Sequence, residues 1–248
     1  MNPKERYLFD LNGYLVVPDA LTSNQIGILN SVLDRRIESE CPADMLTHRF
    51  MPLLDWGKEY RDLIDNPLIL PYLTELLGEG FRLDHVYLDI IRSGKGPIGT
   101  ELHGGAVPFT ADSYFNFSNG QMYNGLSVVA YNLADVGSND GGFGCVPGSH
   151  KSNYEFPDEW KEMEEPLPIV KRITGAAGTA IIFTEALTHG TLPWIGSAER
   201  RTIFFKYSPS SLSWSAQYFN HQDYQDITES QRAILERPNA RYSYRNGP

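Results

Sequence analysis

Apolar residues recur at helical spacing between Thr22 and Glu40. Ile26, Leu29, Val32, Leu33 and Ile37 fall on one face, and Thr22 or Ser23 can cap the helix they predict. The stretch NPLILPYLTELLGEG predicts a second helix, with Asn66 as N-cap, Pro67 in the first turn and Gly78 just past the end. From Phe81 onward the pattern changes. HVYLDIIRS, GLSVVAYNLADV, TAIIFTEA and RRTIFFKYS are short β-branched and aromatic runs bounded by Gly, Pro, Asn and Asp, the mark of strands. Near the end, Thr228 and Gln231 form a capping-box pattern before an apolar run, which predicts a short terminal helix. Helices first, strands with turn-rich connections next and a helix last predict a mainly β protein, a double-sheet antiparallel core with α-helices packed outside.

The chain has 248 residues, 41% of them apolar, which suits one barrel or sandwich spanning residues 1–248, and no linker or repeat interrupts it. No run approaches the roughly 18 apolar residues of a membrane span. The N-terminus lacks a basic stretch followed by an apolar one, and the two cysteines, Cys41 and Cys145, make no disulfide framework. A reduced, cytoplasmic setting is the expectation. The net charge of −10 argues against a nucleic acid polymer or an anionic membrane as partner, because both require a basic face. A small anion held by a local arginine remains compatible with it, and oligomeric state is open.

Six histidines are present: His48, His85, His103, His150, His189 and His221. Taken singly, each reads first as a surface or hydrogen-bonded core residue. Two have a suggestive setting. His103 sits beside the pair Gly104-Gly105, where backbone or ligand can approach closely. His189 ends an apolar strand and precedes Gly190. Neutral imidazoles at the mouth of a barrel suit Fe(II). Downstream, Arg200 and Arg201 open the last predicted strand, and alternation admits only one of them to the interior. Counting back from Tyr207 favours Arg200, which can hold a carboxylate by a bidentate pair, and Thr191 can add a hydroxyl.

The opening FDLNGYLVVPDALTSNQIGILNSVL, the segment DGGFGCVPGSHKSN, and the pair THGT with RRTIFFKY together resemble the phytanoyl-CoA dioxygenase family of Fe(II)/2-oxoglutarate-dependent oxygenases, over about Phe9 to Ser208. The resemblance implies a double-stranded β-helix, or jelly roll, with Fe(II), 2-oxoglutarate and O2 as working parts and succinate and CO2 as co-products. It implies His103 and His189 as metal ligands, Arg200 as the 2-oxoglutarate anchor, Thr191 as its assistant, and a mainly structural His150.

One position departs from that pattern. The family has a carboxylate two residues after the first histidine, and Gly105 stands there. Non-haem iron halogenases resemble this arrangement, in which a chloride ion takes the vacated place and is delivered to a substrate carbon. The expected function is therefore halogenation of a small molecule. Gly105 leaves room for the halide, and a nearby backbone N–H can hold it. Three alternatives stand beside this: a carboxylate from elsewhere, Asp112 or Glu101, that restores a hydroxylase; two histidines with water that still hydroxylate; and a binding protein without turnover. The aromatic stretch from Pro108 to Leu126 reads as a lid or substrate wall, with Phe109, Tyr114, Phe115, Phe117 and Tyr123 able to sandwich a planar group. Trp194 reads as pocket wall or core. Arg49, Arg92, Lys95 and Lys151 are candidates for a substrate phosphate or carboxylate, which makes a nucleotide one expected substrate class and a carrier-tethered molecule another.

Overall fold

The computed structural model describes residues 1–97, 100–162 and 167–240. Its elements in chain order are α1 (Pro3–Asn12), β1 (Tyr14–Val17), α2 (Ser23–Glu40), β2 (Thr47–Phe50), α3 (Lys58–Arg61), α4 (Leu70–Leu77), β3 (Arg82–Ile91), β4 (Phe115–Ser118), β5 (Gln121–Asn124), β6 (Ser127–Asn132), β7 (Gly142–Cys145), β8 (Lys171–Arg172), β9 (Ala180–Thr184), β10 (His189–Leu192), β11 (Arg200–Ser208) and α5 (Glu229–Ile234). Six strands form one antiparallel sheet in the order β1-β9-β6-β11-β3-β2, and three form a second in the order β10-β7-β8. This is a mainly β jelly roll with few helices, as the residue pattern and the family resemblance both lead one to expect.

The large sheet is apolar on both faces, and strand alternation divides them cleanly. Along β11, Ile203, Phe205 and Tyr207 join a core with Leu29 and Leu33 of α2 and Leu73 and Leu76 of α4. The alternate residues, Phe204 of β11, Val128 and Ala130 of β6, and Ile181 and Phe183 of β9, pack with Phe143 and Cys145 of the small sheet. The helices therefore cover one face, and the space between the sheets lies behind the other. Among the described residues no helix is long and apolar enough to cross a membrane.

Local rules explain most element ends. The Thr22 hydroxyl accepts the Gln25 N–H, and the Gln25 side chain accepts the Thr22 N–H. Thr228 and Gln231 repeat that capping box at α5. The second predicted helix begins later than its Asn66 signal suggests. Asn66 instead caps a turn, accepting from the Leu68 N–H and donating to the Ala20 carbonyl, and α4 starts at Leu70. Pro71 is the physical reason: a helix begun at Pro67 would carry it in the interior, where its ring and missing N–H break the ladder. Starting at Leu70 puts Pro71 in the first turn. The aromatic stretch 108–126 is not simply a loop. It contains the hairpin of β4 and β5, turned at Asn119-Gly120, both with positive φ as a tight hairpin turn requires.

Candidate active site

His103 and His189 are 86 positions apart in sequence and are joined directly. Each donates its backbone N–H to the other's carbonyl at 2.8 Å, and their ring centroids lie 4.3 Å apart. The approach depends on Gly104. A Cβ there would stand 2.6 Å from the carbonyl oxygens of both Glu185 and Leu187, and its φ is +78°. Only glycine lets this segment lie so close to the turn that leads into β10.

Both rings are fixed by their second nitrogen. The Nδ1–H of His103 donates to the Glu101 carbonyl at 2.9 Å, and that of His189 to the Leu187 carbonyl at 2.7 Å. A carbonyl only accepts, so each Nδ1 carries a proton, and in the neutral ring Nε2 then keeps a free lone pair. Metal-binding histidines are held in this way. His189 is buried against Phe183 and Phe143, and burial first, then the neighbouring His103, pushes its pKa down to about 3, which keeps the ring neutral.

A third donor completes the cluster. Glu185 follows β9, and one ligand atom from each of His103, Glu185 and His189 lies within 4.8 Å of the others. Bonds of about 2.0–2.2 Å to one ion keep its donors within roughly 4.4 Å of each other. The side chains therefore need only a small adjustment to share an ion, and the donor set fits a divalent transition metal. Glu185 is also paired: Lys206 Nζ lies 2.6 Å from one carboxylate oxygen. Burial alone would raise the carboxyl pKa, but the Lys206 charge and hydrogen bond together with the two histidines outweigh it and bring Glu185 to about 2. Burial would likewise lower the Lys206 ammonium, and Glu185 reverses this and raises it.

The cluster opens into a cavity of about 300 Å³ between the two sheets. Arg200 lines it, is only 3% exposed, and leaves its Nε without a hydrogen-bond partner. Burial lowers its pKa to about 10 against the raising effect of Asp89, so it stays charged at neutral pH. The nearby carboxylate is already committed, since Arg49 holds Asp89 through two bonds of 2.7 Å. A buried guanidinium with donors to spare is a seat for an anion such as a carboxylate. Thr191 lines the same cavity. Arg201 points the other way, to Asn30 and Asp34 of α2 and to Glu199.

The remaining sequence candidates fall elsewhere. Gly105 (φ +114°) lines a neighbouring cleft, where an added Cβ would be 3.1 Å from the Thr188 hydroxyl. Glu101 borders a surface cleft that His103 also lines, and the Asp112 carbonyl accepts the Leu126 N–H; neither carboxylate belongs to the donor cluster. His150 is structural: its Nε2–H donates to the Asp10 carbonyl, Phe115 packs edge-on against its ring, and burial lowers its pKa to about 4. Trp194 is core, packed with Ile91 and Val136. The aromatic residues of 108–126 do not line the cavity. Of the four basic candidates only Arg49 does; Arg92 pairs with Glu199 and Lys151 with Asp10. The sequence reading missed Glu185 and Lys206. Parity along β11 carried the signal, because Lys206 shares the inward face of Arg200 and Phe204, and a lysine inside a barrel requires a carboxylate.

Residues 98–202 match the phytanoyl-CoA dioxygenase (PhyH) family. The matched segment contains His103, Gly105, Glu185, His189, Thr191 and Arg200. A search of curated proteins finds no match. Among solved structures, HygX from Streptomyces hygroscopicus with nickel and 2-oxoglutarate bound is 23% identical, over 86% of this chain and 89% of that one, with a TM-score of 0.76. HygX with hygromycin B bound as well is 21% identical, with a TM-score of 0.72 over 86% of this chain and 89% of that one. The epimerase SnoN from nogalamycin biosynthesis, non-haem and α-ketoglutarate-dependent, is 19% identical over 84% and 81%, with a TM-score of 0.60. At these identities the likeness is one of fold.

Proposed function

We propose that the protein is an Fe(II)/2-oxoglutarate-dependent oxidoreductase acting on a polar small molecule. His103 and His189 hold the metal, Arg200 anchors the far carboxylate of 2-oxoglutarate, and Thr191 assists. Iron with 2-oxoglutarate and O2 supplies the oxidising power. The chain's own residues orient the co-substrate, keep the His189 ring neutral and line the cavity. One observation carries the reading: two histidines with free Nε2 atoms share a cavity with a buried arginine that has donors to spare. The match to the PhyH family and the nickel and 2-oxoglutarate in HygX support it. For the substrate, the cavity wall offers the Asp89–Arg49 pair and the stacked His85 and Trp214 rings, 4.8 Å between centroids, a mixture of charge and flat apolar surface. HygX is seen with hygromycin B and SnoN with nogalamycin RO, which supports a small-molecule substrate, and a nucleotide is the further class to be tried.

Oxygenation without a halide is the reading favoured here, because a carboxylate lies beside the two histidines. Halogenation is the second reading and rests on Gly105, which bears no carboxylate at the family's position. The test is an anaerobic titration of the Fe(II) protein with 2-oxoglutarate, with and without chloride. A visible charge-transfer band supports the function, and its loss in His103→Ala and His189→Ala assigns the ligands. A band that shifts with chloride turns the assignment to a halogenase. No band in the wild type refutes the proposal.

A further inference from the structure

We propose that Glu185 is the carboxylate ligand of the metal, standing in from a different element for the missing side chain at Gly105, with Lys206 as its fixed counter-ion. The inference rests on the metal-site reading above and adds the group that completes it. The two carboxylate oxygens of Glu185 have different surroundings. One is taken by Lys206 at 2.6 Å. The other lies 3.9 Å from Nε2 of His189, beyond hydrogen-bond range, and the carboxylate has a ligand atom within 4.8 Å of one from each imidazole. That is the arrangement of a ligand oriented by an outer partner.

The alternatives are excluded by position. A side chain at residue 105 would start in the adjoining cleft against Thr188, on backbone with φ +114° that strains any residue but glycine. The carboxylates of Glu101 and Asp112 are outside the cluster. Placement of Glu185 is also well determined. Its N–H donates to the Leu126 carbonyl, and the turn it begins is pressed against Gly104, the residue next to His103. The contact that seats one histidine therefore seats the carboxylate as well. Lys206 gives the pair its second role. A buried glutamate without it would carry a heavy desolvation cost in the metal-free protein. Paired with it at 2.6 Å, the carboxylate has a fixed opposite charge beside it.

The experiment is Co(II) binding to the purified chain, followed by calorimetry and by the visible absorption of Co(II), which reports the ligand set. Wild type, His189→Ala, Glu185→Gln and the double variant Glu185→Gln/Lys206→Met are compared. The double variant removes both charges together, so it tests the ligand even if Glu185→Gln alone leaves Lys206 unpaired and fails to fold. The expected result is a loss of affinity in both Glu185 variants larger than the roughly 10–100-fold caused by losing an outer-shell partner, with an altered spectrum. Wild-type affinity and spectrum in the double variant, with binding lost in His189→Ala, would overturn the inference and leave the two-histidine site standing. Absence of Co(II) binding in the wild type would refute both.

Discussion

Gly104→Ala isolates the contact on which the site is built. The added methyl would lie 2.6 Å from two backbone oxygens, whereas ordinary contact begins at 3.4 Å, so 3.4 − 2.6 = 0.8 Å must be found by moving His103 away from the Glu185–Leu187 turn. Both obstacles are main chain, and no side-chain rotation relieves them. The left-handed backbone adds about 1–2 kcal/mol for a residue with a Cβ. In a chain of this size that lowers Tm by about 2–8 °C. A displacement near 1 Å within a catalytic constellation costs on the order of 100-fold in rate. The variant should therefore fold, melt a few degrees lower and lose on the order of 100-fold in 2-oxoglutarate turnover, measured as succinate formed, with Co(II) affinity reduced in parallel. Turnover and metal affinity within about twofold of wild type would refute the idea that this approach seats the histidine and the carboxylate.

Further expectations follow from neighbouring groups. Arg200→Ala should raise KM for 2-oxoglutarate by about 10–150-fold, the equivalent of about 1.5–3 kcal/mol for hydrogen bonds to a charged group. Arg201→Ala should leave KM unchanged and lower only Tm, since its partners are on α2 and at Glu199; the reverse result would mean the opposite strand face lines the cavity. Asp84 offers a pH test outside the donor cluster. Burial raises its pKa, but hydrogen bonds from His85 and from the Trp214 and Ser215 amides outweigh this and bring it from 3.8 to about 2. Lowered in the fold, it stabilises above its unfolded value and ceases to do so as pH falls from about 4 through 2. Asp84→Asn should accordingly flatten the acid limb of Tm against pH, and an unchanged limb would count against the pairing.

The parts of the protein legible from sequence are those set by neighbours in the chain. Thr22 with Gln25 and Thr228 with Gln231 mark helix starts because the bonds they make span three residues. The strand β11 coincides with RRTIFFKYS because its two faces are packed apolar surfaces. Asn66 misled because Pro71, five residues on, overrules it. The Asn119-Gly120 pair was a readable hairpin signal inside a stretch otherwise taken for a lid. His103, His189 and Arg200 could be picked out through motif resemblance, and all three meet at the cavity. Glu185 could not be found by looking near His103 in sequence, where Glu101 and Asp112 drew attention. Its relation to the site passes through space, across the turn that closes on Gly104.

The paired main-chain bonds between His103 and His189 also bear on how much a bound ion would have to organise. A metal site whose ligands come from floppy segments must be ordered by the ion itself, and affinity is diminished by the freedom lost. Here the two imidazoles are neighbours in a miniature antiparallel ladder, so main-chain hydrogen bonds set their register. On the metal-site reading proposed above, the backbone itself therefore carries part of the ordering that binding would otherwise have to supply.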